Sequence, residues 1–274
     1  MILDVHLDRY KAFEHAAWER AAGNYADSFE AVTALFAQPL LDAVRCGPGL
    51  KILDVACGSG MLSAMAASQG ASATGIDFSP AMIAAAKGRF PSLSFIEADA
   101  EQLPFADGSH DAVVIGFGVH HFPSPLKALH EAHRVLRAGG RLAFTVWSSS
   151  DHVLQQLLID VLRQTGAHGT SPPSPPQGDI NEIDHCTRLL NACGCSANSL
   201  SVRKLEACVA VSSAESLIDM FVRGTARASA LLRVQPVASM PAIVSALSAA
   251  MMQYKSDGAL QIPAVAILAA GSHA

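Results

Sequence analysis

Short apolar runs alternate with helix-forming segments through the middle of the chain. Residues 51–56 form an apolar run that ends in a turn signal, as expected of a buried parallel strand. Helix formers follow over residues 61–69 and stop at Gly70. Residues 71–76 then form a second apolar run. This order of strand, helix and strand predicts an α/β fold with a parallel sheet.

The same alternation predicts the rest of the sheet. Further strands are predicted at residues 93–97, 111–117, 141–147, 201–211 and 261–270. Helices are predicted between them at residues 80–89, 124–137, 151–164 and 181–193, with Gly139 and Gly140 ending the second of these. The expected architecture is a doubly wound, seven-stranded, mostly parallel sheet.

Two helical regions flank this predicted core. Residues 1–46 have apolar positions at helical spacing, which predicts an N-terminal helical lid. Residues 212–258 are too long for a hairpin and are helical in content, which predicts a cap inserted before the last strand. The core then comprises residues 47–211, and the last core strand lies within residues 259–274. A proline-rich stretch at residues 166–179 is interpreted as a connector rather than a mobile loop at a pocket rim.

Composition narrows the classes of function. Half of the 274 residues are apolar and the net charge is −5, without a Lys/Arg cluster, so nucleic acid is not an expected partner. The chain shows no signal-peptide layout and no run of about 18 uncharged apolar residues, which predicts a cytoplasmic protein without a membrane partner. The six cysteines form no paired C-x2-C halves, so no metal site is predicted. A monomer and a homodimer both stay open.

The stretch between the first two strands carries the strongest chemical signal. Residues 57–60 predict a tight turn whose glycines remove side chains where a ligand approaches the backbone. Asp77 follows the second strand, at the carboxyl edge where open α/β sheets bind ligands. A dinucleotide fingerprint would need glycine three residues after Gly60, and that residue is Ser63. The loop therefore departs from the pattern that binds a pyrophosphate.

This unit resembles the first βαβ unit of the class I S-adenosylmethionine-dependent methyltransferases that act on small molecules. The resemblance is carried by Asp54, Ala56, Gly58 and Gly60 in a D-x-A-x-G-x-G loop, followed by Asp77. It implies the Rossmann-like methyltransferase fold, with S-adenosylmethionine as cofactor and S-adenosylhomocysteine as product. It also implies that the loop lies under the methionine part and that Asp77 accepts hydrogen bonds from the ribose hydroxyls.

Segments on both sides of this unit extend the resemblance. Residues 101–111 are similar to the family's connection before the fourth strand, which makes Asp99 the implied acceptor for the adenine amine and Ala100 the neighbouring donor. Trp18 and Tyr25 resemble an aromatic segment that folds over the cofactor. The full set of implied cofactor contacts is Tyr25, Asp54, Ala56, Gly58, Gly60, Asp77, Phe78, Met82, Asp99, Ala100, Gly116 and Phe117.

Methyl transfer from a sulfonium needs a general base only if the acceptor must lose a proton. His120 and His121, which follow the fourth strand, are the candidate catalytic residues because imidazole titrates near neutral pH. Adjacent residues of an extended turn point in opposite directions, so at most one of the two is expected to face the cavity. A structural role for both stays open. His152 and His185 are weaker candidates.

The predicted function is methyl transfer to a small molecule, such as a biosynthetic intermediate or a secondary metabolite. The lack of a basic surface disfavours nucleic acid as acceptor, and the apolar cap disfavours a protein side chain. Cap residues Met220, Phe221, Met251 and Met252 are interpreted as packing residues, with a pocket lining as the alternative. The methylated atom, O, N or C, is left open. The alternative functions are a non-catalytic cofactor-binding protein of this fold and an NAD(P)-dependent oxidoreductase, which Ser63 disfavours.

Overall fold

One twisted sheet forms the centre of the molecule. A computed structural model describes residues 2–149, 151–166, 172–173, 180–256 and 258–274. The strands within this part of the chain are β1 (Lys51–Val55), β2 (Ser72–Asp77), β3 (Ser94–Glu97), β4 (His110–Gly116), β5 (Leu136–Trp147), β6 (Ser201–Val211), β7 (Lys255–Ser256) and β8 (Ala259–Ser272). The predicted α/β fold with a doubly wound, mostly parallel sheet is confirmed.

The strand order places the carboxyl ends of the parallel strands side by side. The order is β3-β2-β1-β4-β5-β8-β6, and β8 runs antiparallel to both of its neighbours. β1 is central, with Ile52 opposite Ala73 of β2 and Ala112 of β4. The chain order reverses between β1 and β4, and such a switch point is where doubly wound sheets open a crevice for ligands. β7, a two-residue strand beside β8, is additional to the predicted seven and is too short to give a sequence signal.

Helices cover both faces of the sheet and its carboxyl edge. The described helices are α1 (Ile2–Ala21), α2 (Glu30–Ala34), α3 (Ala37–Ala43), α4 (Met61–Ser68), α5 (Pro80–Arg89), α6 (Pro125–Arg134), α7 (Val153–Gln164), α8 (Ile183–Ala192), α9 (Ala214–Gly224), α10 (Arg227–Arg233) and α11 (Met240–Met251). α6 and α8 pack on one face through Leu129 and Leu190, and α3 and α4 pack on the other through Leu41 and Ala66. A third cluster joins α7, α9 and α11 to β8 beyond the sheet edge.

The prediction for the helix at residues 124–137 is wrong at its end. α6 stops at Arg134, and β5 begins at Leu136, which pairs with His110. Gly140 lies inside this strand, where an added Cβ would come within 2.8 Å of the Arg137 carbonyl oxygen. The glycine pair therefore permits a close backbone approach in β5 and does not end the helix.

The two helical regions contain the helices that the pattern predicted, and their functions as lid and cap stay predictions. α1, α2 and α3 precede β1, while α9, α10 and α11 lie between β6 and β8. Gly224 at the end of α9 lets the two regions touch, because an added Cβ there would lie 2.4 Å from Cβ of Phe29. The proline-rich stretch predicted as a connector lies outside the described residues, apart from Gly166, Pro172 and Pro173.

One segment of the cap is an uncharged, largely apolar stretch of 18 residues. In the described part of the chain, Val237–Tyr254 is long and apolar enough to cross a membrane by length and composition. α11, the α-helix within it, has 12 residues and so measures about 18 Å, less than the roughly 30 Å of a bilayer's hydrocarbon core. Ile243, Leu247 and Met251 are buried in the cluster with α7 and α9. The apolar residues on one face of α11 are thus explained by packing inside the cap.

Candidate active site

The carboxyl ends of β1, β2, β4 and β5 open into one cavity of about 380 Å³. Its size lies in the range of small-molecule sites. The N-terminal helices cover it on one side, and α7, α9 and α10 cover it on the other. Of the predicted cofactor contacts, the cavity is lined by Tyr25, Asp54, Ala56, Gly58, Asp77, Phe78, Met82, Asp99, Ala100, Gly116 and Phe117.

The glycine loop presents its backbone to this cavity. Ala56 and Gly58 both have left-handed backbones, with φ of 58° and 53°. The Gly58 amide donates to Asp77 Oδ2 at 2.9 Å. Phe117, at the end of β4, is also left-handed, and its amide donates to Thr145 Oγ1 at 3.1 Å. Left-handed non-glycine residues are costly and concentrate at functional sites, which marks the ends of β1 and β4 as such a site.

Gly60 differs from the other predicted contacts because it does not line the cavity. It precedes α4 with φ of 86°, and an added Cβ would lie 2.7 Å from Phe95 Cζ and 3.1 Å from Ala86 Cβ. The turn directs this glycine into the packing between the loop and α5. Its requirement for glycine is therefore one of packing and backbone conformation, and the sequence pattern could not distinguish this from ligand contact.

Gly60→Ala is expected to lower the free energy of unfolding by about 2–4 kcal/mol, because it adds a left-handed alanine and an overpacked contact with Phe95. Gly58→Ala is the matched control, since an added Cβ there has 3.8 Å of clearance from Tyr25 Cε1. The free energy of unfolding of Gly58→Ala should fall by only about 1–2 kcal/mol, which is the cost of a left-handed alanine. Urea unfolding without cofactor measures both changes, and equal losses would contradict the packing role of Gly60.

Two buried carboxylates face the loop from the ends of β1 and β2. Asp77 accepts hydrogen bonds from the amides of Gly58 and Ser79, both at 2.9 Å. Asp54 Oδ2 accepts from Ser63 Oγ at 2.6 Å, while Oδ1 is buried without a partner among the described atoms. Burial raises the pKa of Asp54 to about 7 and that of Asp77 to about 6. Ser63, where a dinucleotide site needs glycine, thus positions a carboxylate of the cavity.

The predicted adenine region contains an ion pair that the sequence did not reveal. Lys11 Nζ lies 2.5 Å from Asp99 Oδ2, and both side chains are partly exposed. Burial alone would raise the pKa of Asp99, but the Lys11 ammonium and the Glu101 amide bring it below its usual value. These residues are far apart in sequence, so no local pattern could pair them.

α1 contacts the carboxyl edge of the sheet along one stripe. Tyr10 Oη donates to the His120 carbonyl at 2.9 Å, and Glu14 Oε2 lies 2.9 Å from His121 Nδ1. Trp18 Nε1 donates to the same Glu14 oxygen at 3.1 Å. Tyr10, Glu14 and Trp18 are spaced four residues apart, which places them on one face of a helix. This spacing is visible in the sequence and could have indicated that they act together.

α2 is tied to the glycine loop by a buried carboxylate. Both oxygens of Glu30 accept from the Arg89 guanidinium at 2.8 Å, and Ser59 Oγ also donates to Glu30. Tyr25 lines the cavity just before α2, and its Oη lies 3.1 Å from Thr33 Oγ1. The residues that cover the loop are thereby held in place by specific polar contacts.

Both candidate histidines line the cavity, and the prediction that at most one would do so is wrong. Residues Val119–His121 form a 3-10 turn. The His121 amide donates a hydrogen bond to the Gly118 carbonyl, and the Phe122 amide donates one to the Val119 carbonyl. Such a turn rotates successive side chains by roughly one third of a circle, not by half. The ring centroids of His120 and His121 consequently lie 4.1 Å apart.

The three histidines of the cavity differ in their surroundings. His121 is bonded to Glu14, whereas His120 and His152 each have a buried Nδ1 without a partner among the described atoms. Burial is the main cause that holds the pKa of His120 well below its usual value, and the nearby Arg227 charge adds to the lowering. Burial lowers the pKa of His152 to about 4. His120 and His152 are thus neutral proton acceptors at neutral pH, while His185 lies on α8 away from the cavity.

Aromatic side chains form the other half of the cavity. Trp147 stacks on Phe117 at 4.0 Å and on His152 at 4.2 Å between ring centroids. This half is lined by Phe29, Phe36, Phe117, Trp147, His152 and Phe221. Of the cap residues singled out from the sequence, Phe221 lines the cavity and Met251 is fully buried outside it. The sequence did not indicate Trp147 as a wall, because its ring is placed by Phe36, Phe117 and His152, which lie far from it or in another element of the chain.

The carboxylate half suits the cofactor that the loop motif implies. S-adenosylmethionine carries positive charge and hydroxyl donors, and a buried carboxylate oxygen without a partner is a place for a cationic or donor group. Asp54 and Asp77 would hold such groups, with the backbone of Ala56 and Gly58 alongside. The residues present therefore fit this cofactor.

Comparisons with known proteins agree with this fit. The family described as "Methyltransferase domain" matches residues 53–144. A demethylmenaquinone methyltransferase of Beutenbergia cavernae is 44% identical over 115 residues, which are 42% of this chain and 48% of that protein. The chain thus spans about half the length of this curated relative.

Solved structures share the fold at low identity. The YcgJ protein of Bacillus subtilis has a TM-score of 0.58 and 19% identity, over 88% of this chain and 98% of that one. Phosphoethanolamine N-methyltransferase 2 of Haemonchus contortus, solved with S-adenosylhomocysteine, has a TM-score of 0.54 and 18% identity, over 87% and 52%. The matched residues are thus a methyltransferase domain, and the loop motif and the fold around them are similar to those of the class I S-adenosylmethionine-dependent methyltransferases.

Proposed function

We propose that this protein transfers a methyl group from S-adenosylmethionine to a small, largely apolar molecule. The observation that carries the proposal is the division of one cavity into a carboxylate half beside the glycine loop and an aromatic half beneath the cap. When bound, S-adenosylmethionine supplies a methyl group already activated by the sulfonium charge. The protein then has to hold the acceptor in line with that group and exclude water, which the N-terminal helices and the cap favour.

The acceptor is proposed to be a biosynthetic intermediate or a secondary metabolite handled in the cytoplasm. The demethylmenaquinone methyltransferase of Beutenbergia cavernae matches only 42% of this chain, and the residues of the cap lie outside the family match at residues 53–144. The relatives' substrate therefore supports an aromatic or quinone-like acceptor without identifying it. An apolar body would pack against Phe29, Phe36 and Phe221.

His120 is proposed to accept the acceptor's proton. His120 lines the cavity, and its buried Nδ1 has no partner among the described atoms. Because burial keeps the imidazole neutral, it can accept a hydrogen bond without first losing a proton. His121 is hydrogen-bonded to Glu14 of α1, and its proposed role is to orient this helix over the cavity.

The experiment that tests this function is turnover with labelled methyl donor. Purified protein is incubated with S-adenosylmethionine labelled in the methyl group and a panel of hydroxylated aromatic and quinol compounds. Transfer of label to a compound, with equimolar S-adenosylhomocysteine, supports the proposal. Binding of both sulfur nucleosides without transfer to any compound of a broad panel would favour a non-catalytic cofactor-binding protein.

Cofactor affinity is expected to fall as the pH falls from 8 to 6. The ammonium group and the ribose hydroxyls that S-adenosylmethionine and S-adenosylhomocysteine share favour ionised Asp54 and Asp77, whose pKa values of about 7 and about 6 lie above those of an unfolded chain. The affinity for S-adenosylhomocysteine should be about tenfold weaker at pH 6 than at pH 8. The contribution of these two carboxylates to the stability of the cofactor-free protein has the opposite slope, because their pKa values are higher in the folded state; the lowered pKa values of His120 and His152 act against this contribution.

Calorimetric titrations at several pH values, with thermal unfolding of the free protein alongside, measure both slopes. Asp54→Asn should flatten the pH dependence of binding, since it removes the group of higher pKa. A pH-independent affinity in the unmodified protein would contradict the assignment of these carboxylates to the cofactor.

A further inference from the structure

Charge is distributed unevenly between the two halves of the cavity. The lining beside the loop and α1 contains the carboxylates of Glu30, Asp54, Asp77, Asp99 and Glu101, with Lys11 bound to Asp99. On the opposite side, among the described residues of α7, α9 and α10, the formally charged lining residue is Arg227. The aromatic half is thus cationic where the cofactor half is anionic.

Arg227 begins α10 and is half-buried. Its Nη1 donates to the Pro173 carbonyl oxygen at 2.5 Å, which engages one of the several N–H donors of the guanidinium. Within the described residues, no carboxylate forms an ion pair with it. A guanidinium has a planar array of donors, and those left over can bind a carboxylate at two points.

The other arginines of the cap are differently engaged. Arg223 lies 3.2 Å from Asp219 Oδ2 and 3.3 Å from Asn24 Oδ1. Arg233 donates to Ser229 Oγ and to the Val222 carbonyl. Neither of these two lines the cavity. Arg227 therefore combines three features within this group: it faces the cavity, it is half-buried and it has no acidic partner in the described chain.

Among the described residues, the neighbours of Arg227 do not compensate its charge. His120 and His152 are neutral because burial lowers the pKa of each, and the Arg227 charge contributes to the lowering at His120. The remaining lining on this side is aromatic or uncharged. A cation held beside apolar walls costs free energy that an anion would offset.

We propose that Arg227 binds a carboxylate of the methyl acceptor, so that the substrate class is an aromatic or conjugated carboxylic acid. This inference rests on the proposed function of the same site. The apolar body of such an acid would lie against the aromatic walls, and its carboxylate would lie at the start of α10. Arg227 is then a specificity-determining residue and not part of the methyl-transfer chemistry.

The test compares matched acids and amides. Protein saturated with S-adenosylhomocysteine is screened by ligand-observed NMR against pairs such as cinnamic acid and cinnamamide, hydroxycinnamic acids and their amides, and hydroxybenzoic acids and their amides. The unmodified protein should bind acids at least tenfold more tightly than the paired amides. Arg227→Gln should abolish this preference and Arg227→Lys should retain part of it. Arg223→Gln is the matched control and should leave it intact.

The cofactor titration separates the two ways in which the inference could fail. Arg227→Gln should bind S-adenosylhomocysteine as the unmodified protein does. A tenfold loss of that affinity would mean that Arg227 binds the cofactor's carboxylate, which overturns the inference. Equal binding of acids and amides, or binding of none of the acids, also overturns it and leaves the proposed function standing. If S-adenosylhomocysteine does not bind the unmodified protein, both fail together.

Discussion

His120→Ala is expected to lower kcat by about 10²–10⁴-fold while leaving the affinity for S-adenosylhomocysteine within about threefold. The reason is that His120 lines the cavity just after β4, is kept neutral by burial and has an Nδ1 without a partner among the described atoms. Removing it leaves the cofactor contacts of the loop in place. Steady-state turnover with a labelled methyl donor and calorimetry with S-adenosylhomocysteine measure the two quantities.

His185→Ala is the matched control for this prediction. His185 lies on α8 and does not line the cavity, so kcat should stay unchanged. Retention of kcat within about threefold in His120→Ala would contradict the role of His120 as proton acceptor. A parallel loss of cofactor affinity would instead indicate that the variant has disturbed the 3-10 turn and its bond to Tyr10.

Asp77→Ala is expected to weaken cofactor binding by about 1–3 kcal/mol, which is roughly tenfold to hundredfold in Kd. Asp77 is 6% exposed and accepts hydrogen bonds from the amides of Gly58 and Ser79, so its carboxylate is fixed at the cavity wall. A fixed, ionised acceptor makes stronger hydrogen bonds to hydroxyl donors than a neutral one. Calorimetric titration with S-adenosylhomocysteine at pH 8, where the group is ionised, measures the loss.

Two further variants separate binding from folding. Asp77→Asn keeps the size of the side chain and removes its charge, so it should show most of the loss with a smaller drop in melting temperature. Asp111→Asn is the matched control, because this strand carboxylate bonds the Lys51 amide and Arg137 outside the cavity. Unchanged affinity in both Asp77 variants would contradict the ribose assignment.

The sequence predicted the loop region well because its determinants are local. Asp54 and Asp77 lie at the carboxyl ends of the adjacent strands β1 and β2, and Gly58 follows β1; the register of these strands is set by the apolar runs themselves. Parallel strands bring their carboxyl ends to one edge, so the positions of these residues follow once the strands are recognised. Gly60 satisfies the same pattern for a different reason, its contact with Phe95, which only the packing of α5 against the loop defines.

The rest of the site depends on contacts between distant parts of the chain. Lys11 pairs with Asp99, and Tyr10 bonds the His120 carbonyl beside the turn that brings both histidines to the cavity. Trp147 becomes a wall because Phe117 and His152 stack on its two faces. Nothing in the sequence around Arg227 distinguishes it from an exposed arginine. Only the packing of α10 at the cavity brings it near His120.

The central claim is that the cavity binds S-adenosylmethionine. Calorimetric titration of the purified protein with S-adenosylhomocysteine, S-adenosylmethionine and NADH tests it most directly, with thermal unfolding followed in parallel. We expect both sulfur nucleosides to bind at one site and raise the melting temperature, and NADH to do neither. Binding of NADH in place of the sulfur nucleosides would contradict the account.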